Sequence, residues 1–120
     1  MIAAGLVANG ARVYISSRKD ISELARYLTK RGPGECICLG TLDVASEKSI
    51  ESFAKLLSDA EPTGIDVLVN NASVLIPSRT ATPKEMDKLY EINTRATTLS
   101  IQQCLPHLFR SPIRGGGSIL

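Results

Sequence analysis

Asn70 and Asn71 stand side by side at the end of an apolar run, IDVLV at 65–69. Two amides bring four hydrogen-bonding groups to one point. The run before them reads as a strand buried on both faces, as strands inside parallel sheets are. In α/β sheets the carboxyl ends of such strands are where ligands sit. A second candidate group is Ser17, Arg18 and Lys19, a hydroxyl followed by two cations at the end of another strand-like stretch. That set suits a phosphate, each charge-assisted hydrogen bond contributing roughly 1.5–3 kcal/mol. A third is Asn93, on a helical face with Met86, Leu89, Ala96 and Ser100, where an inward amide needs partners. Each has a plainer reading as well. The paired asparagines could close a strand in a turn, Arg18 could be a solvated loop residue, and Asn93 could bond a neighbouring carbonyl.

The rest of the composition narrows the field. Cys36, Cys38 and Cys104 lack CxxC spacing, and with His107 as the single histidine no credible metal cluster forms. The thiols read as buried and reduced, which suits a cytoplasmic protein. A net charge of +2 and 4% aromatic residues argue against nucleic acid as a partner. No apolar stretch approaches the roughly 18–20 residues of a membrane span, and the apolar N-terminus lacks the basic front of a signal peptide. Gly115, Gly116 and Gly117 precede a strand instead of opening a helix, so they read as a connecting loop, not a phosphate loop.

The elements that must position these residues alternate. Residues 2–9 read as the last turns of a helix closed by Gly10, and residues 12–15 as a strand. Asp20 is placed to cap a helix whose apolar stripe is Ile21, Leu24, Ala25 and Leu28. Residues 32–34, Gly-Pro-Gly, stop it before a strand at 36–39. Ser46 caps a helix with the stripe Ile50, Phe53, Ala54 and Leu57, and the sequence TPKE from Thr82 has the Thr cap, Pro and N3 Glu of a helix start. The helix that follows is predicted to run to about Arg110, with a bend near Pro106. Residues 118–120 begin a last strand. Helices of this length between strands give a doubly wound α/β fold with a parallel sheet and helices on both faces.

The pieces GARVYISSRK, LDV, IDVLVNNAS, the asparagine of EINTRA, and GGGSIL resemble, in this order, the short-chain dehydrogenase/reductase family. The likeness covers nearly the whole chain and is nearest in flavour to the 3-oxoacyl-[acyl-carrier-protein] reductases. It implies a Rossmann-like domain over residues 1–120 and an oxidoreductase interconverting a carbonyl and an alcohol on a small molecule. It implies NADP as cofactor, with Ser17 and Arg18 at the 2′-phosphate where an NAD-binding member would carry a carboxylate. It assigns Asp43 and Val44 to the adenine, Asn70, Asn71 and Ala72 to the segment passing the adenosine ribose, and Asn93 to a proton relay. Asp43 also has a plainer role as a turn residue before the Ser46 cap, and Ser73 replaces the family's following glycine. The helix at 83–110 matches one through which family members form homo-oligomers.

Two family features have no counterpart. There is no glycine-rich TGxxxGIG turn, and no serine with a YxxxK motif: Tyr14, Tyr27 and Tyr90 are followed four residues on by Arg18, Arg31 and Thr94. The resemblance therefore implies an interior fragment, with relatives about twice as long. The absent first strand belongs between those of Val13 and Val67, leaving a gap of roughly 9–10 Å at the usual strand spacing. The expectation is a chain that alone folds poorly or aggregates through unpaired edges, which a cooperative melt of soluble monomer would contradict. Beside the enzyme reading stand a catalytically dead paralogue serving as an interaction module and a non-functional product.

Overall fold

The computed structural model describes residues 2–77 and 80–120. They form two compact units, one ending at Asp43 and one running from Val44 to Leu120.

The first unit contains α1 (Ile2–Ala8), β1 (Arg12–Ser17), α2 (Ser22–Thr29) and β2 (Glu35–Thr41). Gly10 ends α1 at φ +87°, the left-handed conformation expected of it. The strands pair in parallel from Arg12 opposite Glu35 to Ser17 opposite Thr41, with a register shift between Ile15 and Ser16. Val7, Ala25, Leu28 and Cys36 make the buried core, and Val13, Ile15, Leu24 and Cys38 pack against it. The stripe on α2 thus faces inward as its spacing requires. The Thr29 hydroxyl accepts the Cys36 N–H at 2.9 Å, tying the end of α2 to the start of β2. The cap of α2 sits one residue later than expected, at Ile21. Asp20 instead takes the Ser22 N–H and hydroxyl on its Oδ1, at 2.9 and 2.5 Å. An Asp two residues ahead of an N–H forms this local turn without itself entering the helix.

The second unit holds α3 (Glu47–Ala60), β3 (Val67–Leu68), α4 (Pro83–Tyr90), a π turn (Glu91–Arg95), α5 (Ala96–Phe109) and β4 (Ser118–Ile119). Ser46 caps α3 by accepting the Ser49 N–H, and Ile50, Ala54 and Leu57 are buried along its stripe. β3 and β4 are parallel, and the ladder continues in backbone bonds from Leu120 N–H to the Leu68 carbonyl and from Asn70 N–H to the Leu120 carbonyl. The strand expected to be buried on both faces is not: Val67 is 41% exposed. Its only sheet partner among the described residues is β4, and a parallel strand is buried only when flanked and covered on every side.

The single helix expected at 83–110 is three pieces. Its start is a complete capping box between Thr82 and Glu85 with Pro83 in the first turn. The interruption falls at the π turn, where the Ala96 N–H reaches back to the Glu91 carbonyl, and not at Pro106, which lies inside α5. None of the helices is long and apolar enough to cross a membrane, among the described residues.

Candidate functional site

In the first unit β1 delivers Ser17 to a tight turn. Its Oγ donates to the Lys19 carbonyl at 2.7 Å and accepts the Lys19 N–H at 3.1 Å. Arg18 and Lys19 are thereby turned outward; both are exposed, and with Ser17 they line an open hollow. Neither forms a salt bridge among the described residues. The Leu42 N–H bonds the Ser17 carbonyl at 2.9 Å, which brings the segment entering Asp43 beside the same strand end. Asp43 itself is exposed. The sequence reading treated Asp20 only as a cap. Its carboxyl is held below the usual range, first by the Ser22 hydroxyl and then by the Ser22 N–H. A fixed anion thus follows the two cations, its Oδ1 already occupied by Ser22.

In the second unit Val44 is half-buried, Asn70 half-buried, and Asn71 and Ala72 exposed. The Asn70 amide reaches the Leu120 carbonyl at 3.5 Å, so it helps close the ladder that its own backbone ends. Asn93 is exposed, where an inward face was expected; Met86, on the same stripe ahead of the π turn, is exposed as well. The Asn93 amide is nonetheless engaged. Oδ1 accepts the Val74 N–H at 2.8 Å and Nδ2 donates to the Val74 carbonyl at 2.9 Å. One side chain therefore satisfies both backbone groups of one residue, as a neighbouring strand would. Val74 was not singled out from sequence, and nothing in its type marks it: the contact is made wholly by its backbone. On the same turn Arg95 pairs with Glu47 at 3.1 Å, the first residue of α3.

The remaining reactive groups are quiet. Cys36 and Cys104 are buried, and burial raises both thiols above their ordinary range, away from nucleophilic chemistry. Cys38, expected to be buried with them, is half-buried. No group of three potential metal ligands exists among the described residues.

The sequence pattern of the short chain dehydrogenase family matches residues 1–120. Bovine dehydrogenase/reductase SDR family member 4 is 32% identical over 124 residues, covering 99% of this chain and 42% of the relative. Human hydroxysteroid dehydrogenase-like protein 2 is 38% identical over 74 residues, covering 60% of this chain and 16% of that one. Among solved structures, Pseudomonas aeruginosa RhlG in a complex with NADP superposes with a TM-score of 0.84 at 28% identity, over 98% of this chain and 46% of that one. A 3-oxoacyl-[acyl-carrier protein] reductase from Brucella melitensis gives 0.83 at 28% identity, over 98% of this chain and 49% of that one. The parallel strands and crossing helices are therefore those of a Rossmann-like α/β fold. The chain belongs to the short-chain dehydrogenase/reductase family of oxidoreductases. It spans less than half the length of these relatives.

Proposed function

We propose that this chain is the cofactor-side part of an NADP(H)-dependent oxidoreductase that interconverts a carbonyl and an alcohol on a small molecule. On this reading both units belong to one partial dinucleotide-binding domain. Ser17 and Arg18 hold the 2′-phosphate, Asp43 and Val44 meet the adenine, and Asn70, Asn71 and Ala72 pass the adenosine ribose. Asn93 is the one residue of the proton relay among these.

The observation that carries the cofactor assignment is the Ser17 turn. It presents two exposed cations with no carboxylate partner among the described residues, at the end of a parallel strand. A guanidinium there suits a doubly charged phosphate and has no counterpart in a bare 2′-hydroxyl. When bound, the cofactor supplies or takes up a hydride. The chain's own contribution is to bind and orient: Arg18 by charge, and Asn93 by fixing the Val74 backbone in the segment that follows β3. The tyrosine and lysine of a YxxxK motif, which would handle the proton, are not among these residues. The exposed Met86 and Tyr90 on α4 support a homo-oligomer through the 83–110 segment. The half-buried and buried free thiols are consistent with a cytoplasmic setting.

The test is a titration of the purified chain with NADPH and NADH, followed by nucleotide fluorescence or calorimetry. NADPH is expected to bind more tightly. Arg18→Glu is expected to weaken NADPH by about 10- to 100-fold, the loss of one charge-assisted contact, and to leave NADH nearly unchanged. Equal losses for both nucleotides would sink the phosphate assignment. Silence with both would favour the non-functional reading.

A further inference from the structure

We propose that His107 and Arg110 form an acid-sensitive latch that fixes the entries of β3 and β4 to the last turn of α5. A helix ends with carbonyls that have no partner within the helix. Here they are taken by the segments leading into the two strands. The Ile65 N–H bonds the His107 carbonyl at 3.1 Å, and the Gly117 N–H bonds the Leu108 carbonyl at 2.8 Å. Gly64, at φ +100°, lies so close that a Cβ would collide with the His107 carbonyl oxygen. A Cβ on Gly117 would meet the Leu108 side chain and the Ile65 carbonyl. One turn of helix thus sets the start of both strands.

The buried polar side chain on this turn is that of His107, 7% exposed. Its Nδ1 lies 2.6 Å from a guanidinium nitrogen of Arg110. A guanidinium can only donate, so Nδ1 accepts and the ring is neutral with its proton on Nε2. Protonation would place a donor against a donor and two cations in contact. Other charged residues on the adjoining segments are Glu61 at the end of α3, Asp66 ahead of β3 and Arg114 in the final loop. Asp66 is engaged by the Ser111 hydroxyl at 2.6 Å. α3, packed against α5, contributes the apolar Ile50, Ala54 and Leu57 as its buried side chains. Arg110 is the charged group that meets the ring.

The helix dipole favours a cation at this end, which opposes the latch. That pull is blunted because the His107 and Leu108 carbonyls already carry N–H partners. Burial first, and Arg110 second, hold the imidazole below its ordinary range. The sign follows. An open or unfolded His107 titrates near 6.5 and binds protons more readily than the closed form. The latch therefore contributes fully above about 6.5 and is lost as pH falls through the lower folded value. Arg110 is exposed whereas the ring is buried, so a charged ring gains water only when the turn opens. Since β3 runs into Asn70, opening the latch slackens the strand end that carries the paired amides.

His107 is the only histidine, so its ring signals in an NMR titration of the chain from pH 8 to 5 need no assignment by mutation. The midpoint is expected below that of free histidine. Amide protection at Ile65 and Gly117, corrected for intrinsic exchange, is expected to fall at least tenfold with that same midpoint. Arg110→Gln should move the midpoint up toward the free value, and His107→Gln should abolish the protection loss over this range. Should the His107 variant not fold, the Arg110→Gln midpoint decides alone. A midpoint at or above the free value, or protection at both amides unchanged through the titration, overturns the proposal.

Discussion

The two units solve the same problem, a pair of parallel strands, with different means. In the first, strands of six and seven residues lie under a shared helical cover around Val7, Ala25, Leu28 and Cys36. In the second, the ladder is two residues long on each side, Val67 and Ile119 stay exposed, and α5 fixes the entries through its terminal carbonyls. Apolar content does not separate them, since IDVLV and ECICL each carry four apolar residues of five and RVYIS three. What separates them is cover. A parallel pair is stable where side chains on at least one face reach a packed layer along its whole length, and it shortens where only its beginning is held.

That contrast can be broken or sharpened by substitution. The largest effect is expected from Leu28→Ala, in which a side chain only 3% exposed is cut back. It should cost about 2–5 kcal/mol in chemical denaturation, while Val67→Ala should cost less than about 1. Comparable losses would mean that the second sheet is as well covered as the first. Next is Gly64→Ala, which combines a left-handed φ with a collision at the His107 carbonyl, and about 2–3 kcal/mol is expected in thermal melts. Asn93→Ala removes both bonds to Val74 and should cost about 1–2 kcal/mol, read as faster amide exchange at Val74 with little change in the first unit.

The smallest effect is a pH dependence at the start of α4. The Glu85 carboxyl is held below its ordinary range, first by the Thr82 N–H and then by the Thr82 hydroxyl. Its contribution is therefore present above the unfolded carboxylate pKa of about 4.3 and lost as pH falls through the lower folded value. Amide exchange in the first turn of α4 should quicken over that window, and Glu85→Gln should remove the dependence.

Much of this fold was legible because local signals and packing agree. The Ser46 and Thr82 caps, the Gly10 stop and the stripes of α2 and α3 all rest on contacts within a few residues of one another, which sequence spacing displays directly. The exposure of Val67 was not legible, because it depends on which strands flank it. The π turn was hidden for a related reason: residues 91–95 hold no glycine or proline to mark a break, and the wide turn shows only in the backbone bond from Ala96 to Glu91. Of the candidate site, the residue types at Ser17, Arg18 and Asn93 could be read, but the backbone partners that orient them could not. Val74 and the Lys19 backbone leave no trace in side-chain chemistry. His107 was dismissed as a lone histidine because its isolation in sequence said nothing of the strand entries gathered around it.

The π turn has a genetic corollary. A turn closed over five residues holds one more than an α-helical turn, and one residue in an α-helix corresponds to about 100° of rotation. The faces of α4 and α5 are accordingly out of step by that angle. Deleting Glu91, Ile92, Thr94 or Arg95 is expected to restore an unbroken α-helix, bring the two faces into phase, and rotate Asn93 relative to Val74. A single in-frame codon thus determines whether this segment behaves as one amphipathic rod or as two offset ones.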